Sequence, residues 1–327
     1  MRAVWYEEKG LPADVLTFGE MPDPEPDAGE VRVRVVMSGI NPTDSKRRSN
    51  GRELTLFPRI VPHQDGAGII DKVGPGVDES RIGQRVWIFG AQARRPFGTA
   101  ADYTCLPSDY AIDLPAAARM EDGACLGVPA VTAHRCLFAD GPIGGKTVLI
   151  TGATGRVGRY AVQLAKWAGA RVIATGSSPA KRDLAVALGA DHAVASGETM
   201  LAAVKEVAPD GIDHVVDVAF GNNIDAVTEL LRKGGVVATF ASDAMPRPEI
   251  PFHLLMYKNA NIRMVAIFDM REEFKQQAFA DINRCLAEGR LSAHIDRRYP
   301  LEQTIQAHEA LEAGEVQGSL LIDVAKA

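Results

Sequence analysis

Apolar and polar positions follow different patterns in different parts of the chain. From Val4 to about Tyr103, short apolar runs are broken by glycine, proline and other turn residues. Residues 30–35 alternate between apolar and charged side chains, which is typical of a strand with one solvated face. Residues 66–74 and 83–90 are further short strands bounded by glycines. Many short strands separated by turn residues predict a compact antiparallel β domain.

From Thr147 onward, strand-like and helix-like segments alternate with short connections. The predicted strands cover residues 147–151, 171–175, 213–218 and 235–240, and the predicted helices cover residues 156–168, 179–188 and 223–232. In the first helix, one apolar face holds Val157, Ala161, Leu164, Ala165 and Ala168, with Arg156, Arg159, Gln163 and Lys166 outside it. This alternation predicts a parallel, doubly wound sheet with right-handed crossovers.

Beyond about Asn261 the chain returns to mixed elements. We expect a strand at 262–268, helices at 271–288 and 302–313, and a closing strand at 319–324. The sequence contains no internal repeat, low-complexity tract or long linker. The sequence therefore predicts folded domains along the chain.

Three glycines, Gly152, Gly155 and Gly158, directly follow the strand that begins at Thr147 and open the next helix. Glycines at this spacing let the backbone of a strand-to-helix turn approach the pyrophosphate of a dinucleotide. The candidate cofactor contacts in this turn are Gly152, Ala153, Thr154, Gly155, Arg156, Val157 and Gly158. Residues 141–147 resemble a phosphate loop, but the spacing is one residue short and the segment precedes the strand. The sequence therefore predicts dinucleotide binding at residues 152–158.

The end of the second predicted strand indicates which dinucleotide binds. An acidic residue there would favour a ribose 2′-hydroxyl, but no carboxylate occurs before Asp183. Ser177, Ser178, Lys181 and Arg182 instead supply hydroxyls and cations that suit a 2′-phosphate, which predicts NADPH. In the alternative interpretation, the two serines cap the helix that begins at Pro179, and the two cations are solvated.

Bulk properties exclude several classes of protein. The 327 residues are enough for two domains, and 46% hydrophobic with 24% charged residues is typical of a globular protein. A net charge of -6 with scattered basic residues argues against nucleic-acid binding. We find no signal-peptide pattern or membrane-spanning apolar run, so a cytoplasmic location is expected. The four cysteines form no CxxC pair, which fits core residues in a reducing compartment.

Segments spread over nearly the whole chain resemble the medium-chain dehydrogenase/reductase superfamily, in particular its zinc-free quinone oxidoreductase branch, the zeta-crystallin relatives. The matching segments are residues 39–44, 62–68, 73–77, 83–86, 132–133, 152–158, 163–165 and 189–191. This resemblance implies an α/β protein with a GroES-like, β-rich catalytic domain at 1–121 and 262–327. It also implies an inserted Rossmann domain, a doubly wound parallel sheet at 122–261, and a homodimer.

The resemblance also implies that the enzyme binds no metal. Asn41 stands where zinc-dependent relatives have their first cysteine ligand, and Gln64 stands at the histidine ligand position. A catalytic zinc needs about three cysteine, histidine or carboxylate ligands. His63 is one place away from the ligand position and is expected to be a structural or cleft-lining residue.

The same resemblance supplies candidate site residues. Asn41 would donate an amide hydrogen bond near the nicotinamide or the substrate oxygen, and Thr43 is a candidate proton donor. Thr132 would contact the nicotinamide end of the cofactor, with Phe240 and Phe268 as further cofactor contacts. Alternatively, Asn41 stabilises the turn before Pro42, and Thr43 is an ordinary loop hydroxyl.

Two departures limit this transfer from the family. Residues 53–57 contain no tyrosine, although many quinone and enoyl reductases of this branch carry one there. Ser319 follows Gly318 where the family often has lysine. Tyrosine-assisted enoyl reduction therefore loses support.

The leading hypothesis is a zinc-independent, NADPH-dependent oxidoreductase that transfers hydride to quinones or other conjugated carbonyls. Such acceptors delocalise the negative charge that hydride transfer creates, and they need less Lewis-acid assistance. One alternative is an enoyl reductase, and another is a non-catalytic NADPH-binding sensor or structural protein. The expected partners are a small-molecule substrate and a second copy of the chain, with neither nucleic acid nor membrane.

Overall fold

The computed structural model describes residues 1–51 and 53–325, which form two compact units. The split unit comprises Met1–Val128 together with the segment from Ser292 onward, and the central unit comprises Pro129–Leu291. The domain limits expected from the sequence, after residues 121 and 261, remain a prediction. Arg52, Lys326 and Ala327 fall inside the predicted catalytic domain but outside the described residues.

The split unit begins with short strands and helices. Its strands before Gly127 are β1 (Arg2–Trp5), β2 (Thr17–Glu20), β3 (Glu30–Ile40), β4 (Asp65–Val73), β5 (Arg85–Ile88), β6 (Tyr103–Pro107) and β7 (Ala111–Asp113). Its helices there are α1 (Pro12–Val15), α2 (Pro42–Asn50) and α3 (Met120–Gly123), with 3-10 turns at Glu53–Thr55, Glu79–Arg81 and Ser108–Tyr110. The chain then enters α4 (Gly127–Phe138), which carries it into the central unit.

The central unit alternates strands and helices. Its strands are β8 (Thr147–Ile150), β9 (Arg171–Gly176), β10 (His192–Ala195), β11 (Ile212–Asp217), β12 (Leu231–Thr239) and β13 (Asn261–Met264). Its helices are α5 (Arg156–Trp167), α6 (Pro179–Ala187), α7 (Met200–Val207), α8 (Phe220–Leu230), α9 (Phe252–Tyr257) and α10 (Glu272–Ala287), with a 3-10 turn at Ile267–Asp269. The chain returns to the split unit with β14 (Ile295–Pro300), the 3-10 turn Leu301–Gln303, α11 (Thr304–Glu312) and β15 (Ser319–Asp323).

The main sheet of the split unit confirms the predicted antiparallel β domain. Its strand order is β14-β15-β3-β4-β5-β7, with β6 also paired to β3. All these pairs are antiparallel except β14 with β15. Strand β3 is longer than predicted because the alternating pattern ends at Val35, while Met37–Ile40 is buried on every residue. A segment that is covered on both faces loses the period of two by which a strand is recognised.

The sheet of the central unit confirms the predicted parallel, doubly wound arrangement. Its strand order is β10-β9-β8-β11-β12-β13, and every pair is parallel. The chain starts in the middle at β8, runs outward to β10, and then crosses to β11 on the other side of β8. Strand order therefore reverses between β8 and β11, which is where dinucleotides bind in folds of this order.

Several elements of the central unit differ from expectation. β10 and α7 are absent from the predicted set, and the predicted strand at 262–268 ends at Met264. Helix α5 buries Ala161, Leu164 and Ala165 as predicted, but Arg159 and Gln163 are also buried. The predicted apolar face was therefore too narrow, because α5 is covered on more than the side that faces the sheet.

A chain of buried side chains runs through the split unit beside β3 and β4. The Thr99 hydroxyl donates to the Asp65 carbonyl oxygen at 2.5 Å and lies 2.7 Å from Ser38 Oγ. Ser38 Oγ lies 2.8 Å from His63 Nδ1, and His63 Nε2 lies 2.9 Å from His308 Nε2. Because the Thr99 proton is already directed at the carbonyl, Ser38 donates to Thr99 Oγ1, His63 Nδ1–H donates to Ser38, and His308 Nε2–H donates to His63.

This network requires both imidazoles to be neutral. His63 and His308 are fully buried and stacked, with ring centroids 5.1 Å apart. Burial lowers the pKa of His63 to about 3. Burial also lowers the pKa of His308 well below its usual value, and repulsion from His63 and Arg48 adds to this effect. Protonating either ring would place an uncompensated charge in the core, and protonating His63 at Nε2 would also remove the acceptor of the N–H···N hydrogen bond.

We expect stability to fall as the pH drops below about 6.5, the usual pKa of histidine in an unfolded chain. The folded-state pKa values lie below that value, so the unfolded state binds more protons. Each histidine then costs up to about 1.4 kcal/mol of unfolding free energy per pH unit. Denaturant unfolding at about pH 7.5 and about pH 5.5 measures the difference in unfolding free energy.

The comparison uses His308→Asn and, as a control, His253→Asn on the exposed face of α9. His308→Asn should reduce the loss of unfolding free energy between the two pH values, and His253→Asn should leave it unchanged. Burial raises the pKa of Asp65 and Asp217, which acts in the opposite direction, so the difference between variants is the decisive quantity. Equal losses in the parent and His308→Asn would contradict the assignment.

Candidate functional site

The turn between β8 and α5 holds the glycine motif in the form that a phosphate site requires. Gly152 has φ +60°, in the left-handed region that favours glycine. A Cβ added at Gly158 would lie 2.3 Å from the Gly152 carbonyl oxygen, so α5 sits closer to the turn than any side chain would allow. Gly155 precedes the first residue of α5, and the unpaired N–H groups of a helix's first turn bind anions.

The turn is braced by side chains that the sequence analysis did not single out. The Gly152 N–H donates to Thr175 Oγ1 at 3.1 Å, and the buried Arg159 donates through Nε to the Thr154 carbonyl oxygen at 2.7 Å. Thr175 is the second-last residue of β9, and Arg159 lies in the first turns of α5. The sequence presents Thr175 as an ordinary strand residue, because it meets Gly152 only after β8 and β9 pair. It presents Arg159 as a surface residue of α5, because its bond to Thr154 forms only in the folded turn.

Asp217 is the last residue of β11, next to the point between β8 and β11 where the strand order reverses. Its carboxylate accepts from Thr151 Oγ1 at 3.0 Å, Asn223 Nδ2 at 2.9 Å and the Ala219 N–H at 2.7 Å. Burial raises the pKa of Asp217, and these hydrogen bonds oppose that rise. A Cβ at Gly152 would lie 2.8 Å from Val218 Cγ1, so the loops that follow β8 and β11 are in contact.

Most cofactor candidates follow the carboxyl ends of the parallel strands. Residues 152–158 follow β8, Ser177 and Ser178 follow β9, Phe240 follows β12, and Phe268 lies in the 3-10 turn after β13. Because the strands are parallel, these ends share one edge of the sheet. Phe240 and Phe268 are partly buried, and Thr132 is buried on α4. The fold therefore places four separate stretches of the prediction at one edge of the central sheet.

In the segment after β9, the capping interpretation is confirmed for Ser178, and 2′-phosphate binding stays a prediction. Ser178 caps α6, with its Oγ accepting from the Lys181 N–H at 3.3 Å. Ser177 is exposed, and Lys181 Nζ lies 3.3 Å from its Oγ. Arg182 Nη1 donates to the Gly176 carbonyl oxygen at 3.4 Å. Ser177, Lys181 and Arg182 thus surround the first turn of α6, where the helix dipole also favours a negative group.

In the split unit, Asn41 lies between two carboxylates. Its backbone N–H donates to Asp44 Oδ2 at 2.7 Å, and its side-chain Nδ2 donates to Asp65 Oδ2 at 2.7 Å. Asn41 is 5% exposed and is the N-cap residue before α2, which carries Thr43. Asp65 therefore determines which way the Asn41 amide faces, because only the nitrogen can donate to an ionised carboxylate.

Asp65 also accepts hydrogen bonds from the first turn of α4. Both of its carboxylate oxygens accept from the Val128 N–H, at 2.8 and 2.9 Å. A Cβ at Gly127 would lie 2.2 Å from Asp65 Oδ1, so this approach requires glycine. Burial raises the pKa of Asp65 well above its usual value, and the nearby Asp44 charge adds to the rise, while the bonds from Asn41 and Val128 oppose it.

Gln64, the residue before Asp65, forms a side-chain hydrogen bond with Gln92. Gln64 and Gln92 are fully buried, and Gln64 Nε2 donates to Gln92 Oε1 at 3.1 Å. Within residues 1–51 and 53–325, Gln64 Oε1, Gln92 Nε2 and Thr43 Oγ1 are buried without a hydrogen-bond partner. No group of three or more histidine, cysteine or acidic side chains in that part of the chain is arranged to hold a metal ion. Neutral amides at the two implied ligand positions do not match the donor set of a zinc site.

The four cysteines take no part in either set of residues. Cys105, Cys125, Cys136 and Cys285 are all buried, as expected from the sequence. Burial raises the pKa of Cys105 to about 12 and likewise raises that of Cys285 to about 12. Such thiols are unreactive packing residues.

No described helix has the length and apolar character needed to cross a membrane.

A glycine turn on a parallel sheet of this order, joined to an antiparallel unit built from both chain ends, defines a two-domain dehydrogenase or reductase. Residues 27–116 match the model of the alcohol dehydrogenase GroES-like domain, and residues 157–284 match that of zinc-binding dehydrogenases. The quinone oxidoreductase of Rattus norvegicus is 30% identical over 314 residues, 94% of this chain and 93% of that protein. The chain belongs to the medium-chain dehydrogenase/reductase superfamily, with quinone oxidoreductases as relatives, and is an oxidoreductase.

Solved structures of similar proteins share the fold over almost the whole chain. A mycobacterial protein in complex with NADPH has a TM-score of 0.84 at 26% identity, covering 99% of this chain and 100% of that one. An NAD-dependent alcohol dehydrogenase has a TM-score of 0.87 at 28% identity, covering 99% and 100%. The neighbours thus include proteins named for either dinucleotide, and the choice of cofactor depends on this chain's own residues.

Proposed function

We propose that this protein is an NADPH-dependent, zinc-independent reductase that transfers hydride to quinones or other conjugated carbonyl acceptors. The observation that carries the proposal is the side-chain chemistry beside Asp65. Amides stand at both implied zinc-ligand positions, and each is engaged by a buried partner, Asn41 by Asp65 and Gln64 by Gln92. The identity of the relatives as quinone oxidoreductases supports the acceptor class.

In this proposal, residues of the protein position the cofactor and the acceptor and stabilise the negative charge that develops on the acceptor oxygen. The bound NADPH would supply the hydride. Asp65 uses one of the two N–H hydrogens of Asn41, and the second would donate to the acceptor oxygen as negative charge develops there. A quinone spreads this charge over its conjugated ring, so a neutral amide donor is enough where a simple ketone would need a Lewis acid.

NADPH is favoured over NADH by the first turn of α6. Lys181 and Arg182 lie within one turn of the Ser178 cap, next to the exposed Ser177. Ser177, Lys181 and Arg182 would hold the 2′-phosphate, with the α6 dipole aiding them. Residues 152–158 would hold the pyrophosphate in the manner of other glycine turns.

The function test is steady-state NADPH oxidation against a panel of quinones, enones and 2-enoyl thioesters. We expect turnover with quinones and enones, unaffected by a zinc chelator. Asn41→Ala should lower kcat by about 100-fold, the usual cost of removing one oxyanion donor, with little change in NADPH affinity. Asn50→Ala, at the end of the same helix, is the matched control and should retain the parental rate.

Other outcomes of this assay point elsewhere. Turnover confined to 2-enoyl thioesters would favour the enoyl reductase alternative. Tight NADPH binding without turnover of any acceptor would favour the non-catalytic alternative. An Asn41→Ala variant that loses cofactor affinity but keeps its rate at saturation would remove Asn41 from the reaction.

The cofactor test compares dissociation constants for NADPH and NADH. Lys181→Ala with Arg182→Ala should weaken NADPH binding by about 10- to 100-fold, since each charge-assisted hydrogen bond contributes roughly 1.5–3 kcal/mol before solvent screening. NADH binding should change little. Lys205→Ala with Lys233→Ala removes the same charge from exposed sites of the central unit and serves as control. Equal weakening of both cofactors would argue against 2′-phosphate recognition.

We also propose a homodimer that forms through the edge strand β13. Within the described part of the chain, β13 pairs on one side, with β12, and an identical strand could pair antiparallel with its other side across a two-fold axis. Apolar side chains are exposed beside it, with Met264 72%, Tyr257 70% and Phe252 60% exposed. A second copy would cover both the unpaired backbone groups and these side chains.

Sedimentation equilibrium should give the mass of two chains. Met264→Lys with Tyr257→Ser should shift the protein toward the monomer, because a charge and a lost ring disfavour the buried contact. Leu11→Ser, which changes an exposed leucine of the split unit, is the control and should leave the mass unchanged. A monomeric parent at micromolar concentration would refute the dimer.

A further inference from the structure

A pocket of about 350 Å³ lies in the central unit, and its lining includes none of the residues assigned above. Its lining comes from α4, from the loop that follows it, and from α10. The lining residues are His134, Arg135, Phe138, Ala139, Gly141, Pro142, Phe274, Gln277 and Asp281. None of these belongs to the glycine turn or to the other candidate cofactor contacts. The volume is within the range of small-molecule sites.

Asp281, the acidic residue that lines the pocket, has hydrogen-bond donors on both of its carboxylate oxygens. Asp281 accepts from His134 Nε2 at 3.0 Å, from Gln277 Nε2 at 2.8 Å and from Arg284 Nη2 at 2.9 Å. The hydrogen bond from His134 is the main reason that the pKa of Asp281 is lowered. With both oxygens occupied by donors, Asp281 is poorly placed to receive a cationic ligand.

Arg135 is the arginine that lines the pocket. Its guanidinium lies 4.3 Å from the centroid of the Phe274 ring. Among residues 1–51 and 53–325, no carboxylate forms an ion pair with it. The nearby Asp140 is held instead by Arg263, at 2.5 Å, and by Asn261, at 2.6 Å.

Partial burial and two neighbouring arginines make the charged form of Arg135 less favourable. Partial burial lowers the pKa of Arg135, repulsion from Arg263 and Arg271 lowers it further, and attraction to Asp140 opposes both effects. An arginine remains protonated in spite of such a shift. A ligand that brings a carboxylate to the guanidinium would relieve this cost through two parallel N–H···O hydrogen bonds.

The remaining walls favour a flat, apolar ligand body. Phe274 stacks beneath Arg135, and Phe138, Ala139 and Pro142 add apolar surface. An aromatic ring can pack against phenylalanine edges and faces. We propose that this pocket is a binding site for a small aromatic carboxylate, which Arg135 holds by its carboxylate and Phe138 and Phe274 hold by its ring.

Isothermal titration of the full-length protein tests the site with three probes. Benzoate carries both features, benzamide keeps the ring without the charge, and acetate keeps the charge without the ring. We expect saturable benzoate binding that is at least about tenfold tighter than either partial probe. Absence of saturable benzoate binding, or equal binding of acetate or benzamide, would overturn the proposal.

Variants then assign the contact. Arg135→Gln should weaken benzoate about tenfold or more and leave benzamide unchanged, and Phe274→Leu should weaken both ring-bearing probes. Arg271→Gln is the matched control: this residue flanks the same ring at 4.5 Å but does not line the pocket, so benzoate binding should persist. Equal benzoate affinity in Arg135→Gln and the parent would refute the assignment.

The result does not depend on enzymatic turnover. Should Arg135→Gln fail to fold, as judged by circular dichroism, the comparison of benzoate with benzamide on the parent decides the matter alone. Binding is measured without NADPH or acceptor, so the pocket and the proposed reductase activity can fail separately.

Discussion

The buried carboxylate of Asp65 is the constraint on which the candidate chemistry of the split unit depends. It lies at the start of β4, holds the amide of Asn41, and accepts the N–H of Val128 at the start of α4. A buried charge without partners would cost several kcal/mol, so these donors must stay in place. The requirement for glycine at position 127 follows directly, because only a residue without a side chain lets α4 come this close.

The central unit depends on a comparable close approach. Gly158 lets α5 press against the turn that Gly152 opens, and the first-turn N–H groups of α5 are thereby directed at one point. Asp217 and Thr151 hold the loop from β11 beside that turn. Both units thus use a buried acid at a strand end to fix a backbone on which binding or catalysis would depend.

Much of the fold followed from local patterns. Alternation at residues 30–35 and the strand, glycine turn and helix around Gly152 predicted the antiparallel and parallel sheets, because strand and helix periods are properties of neighbouring residues. The burial of Arg159 and Gln163 was missed, since a polar side chain reads as solvated until its partner is known. β10 and α7 were missed as well, because short segments carry little periodic signal.

Local sequence patterns predicted the type of the longer strands of both sheets, the glycine turn and the family resemblance, because these depend on residues close together in the chain. Which polar groups meet follows from the folded chain: Asn41 with Asp65, Thr151 with Asp217, and Arg135 with the Phe274 ring. Asn41 and Val128 lie 24 and 63 positions from Asp65, and Thr151 lies 66 positions from Asp217. Contacts over such separations are set by strand order and helix packing, which no local pattern encodes.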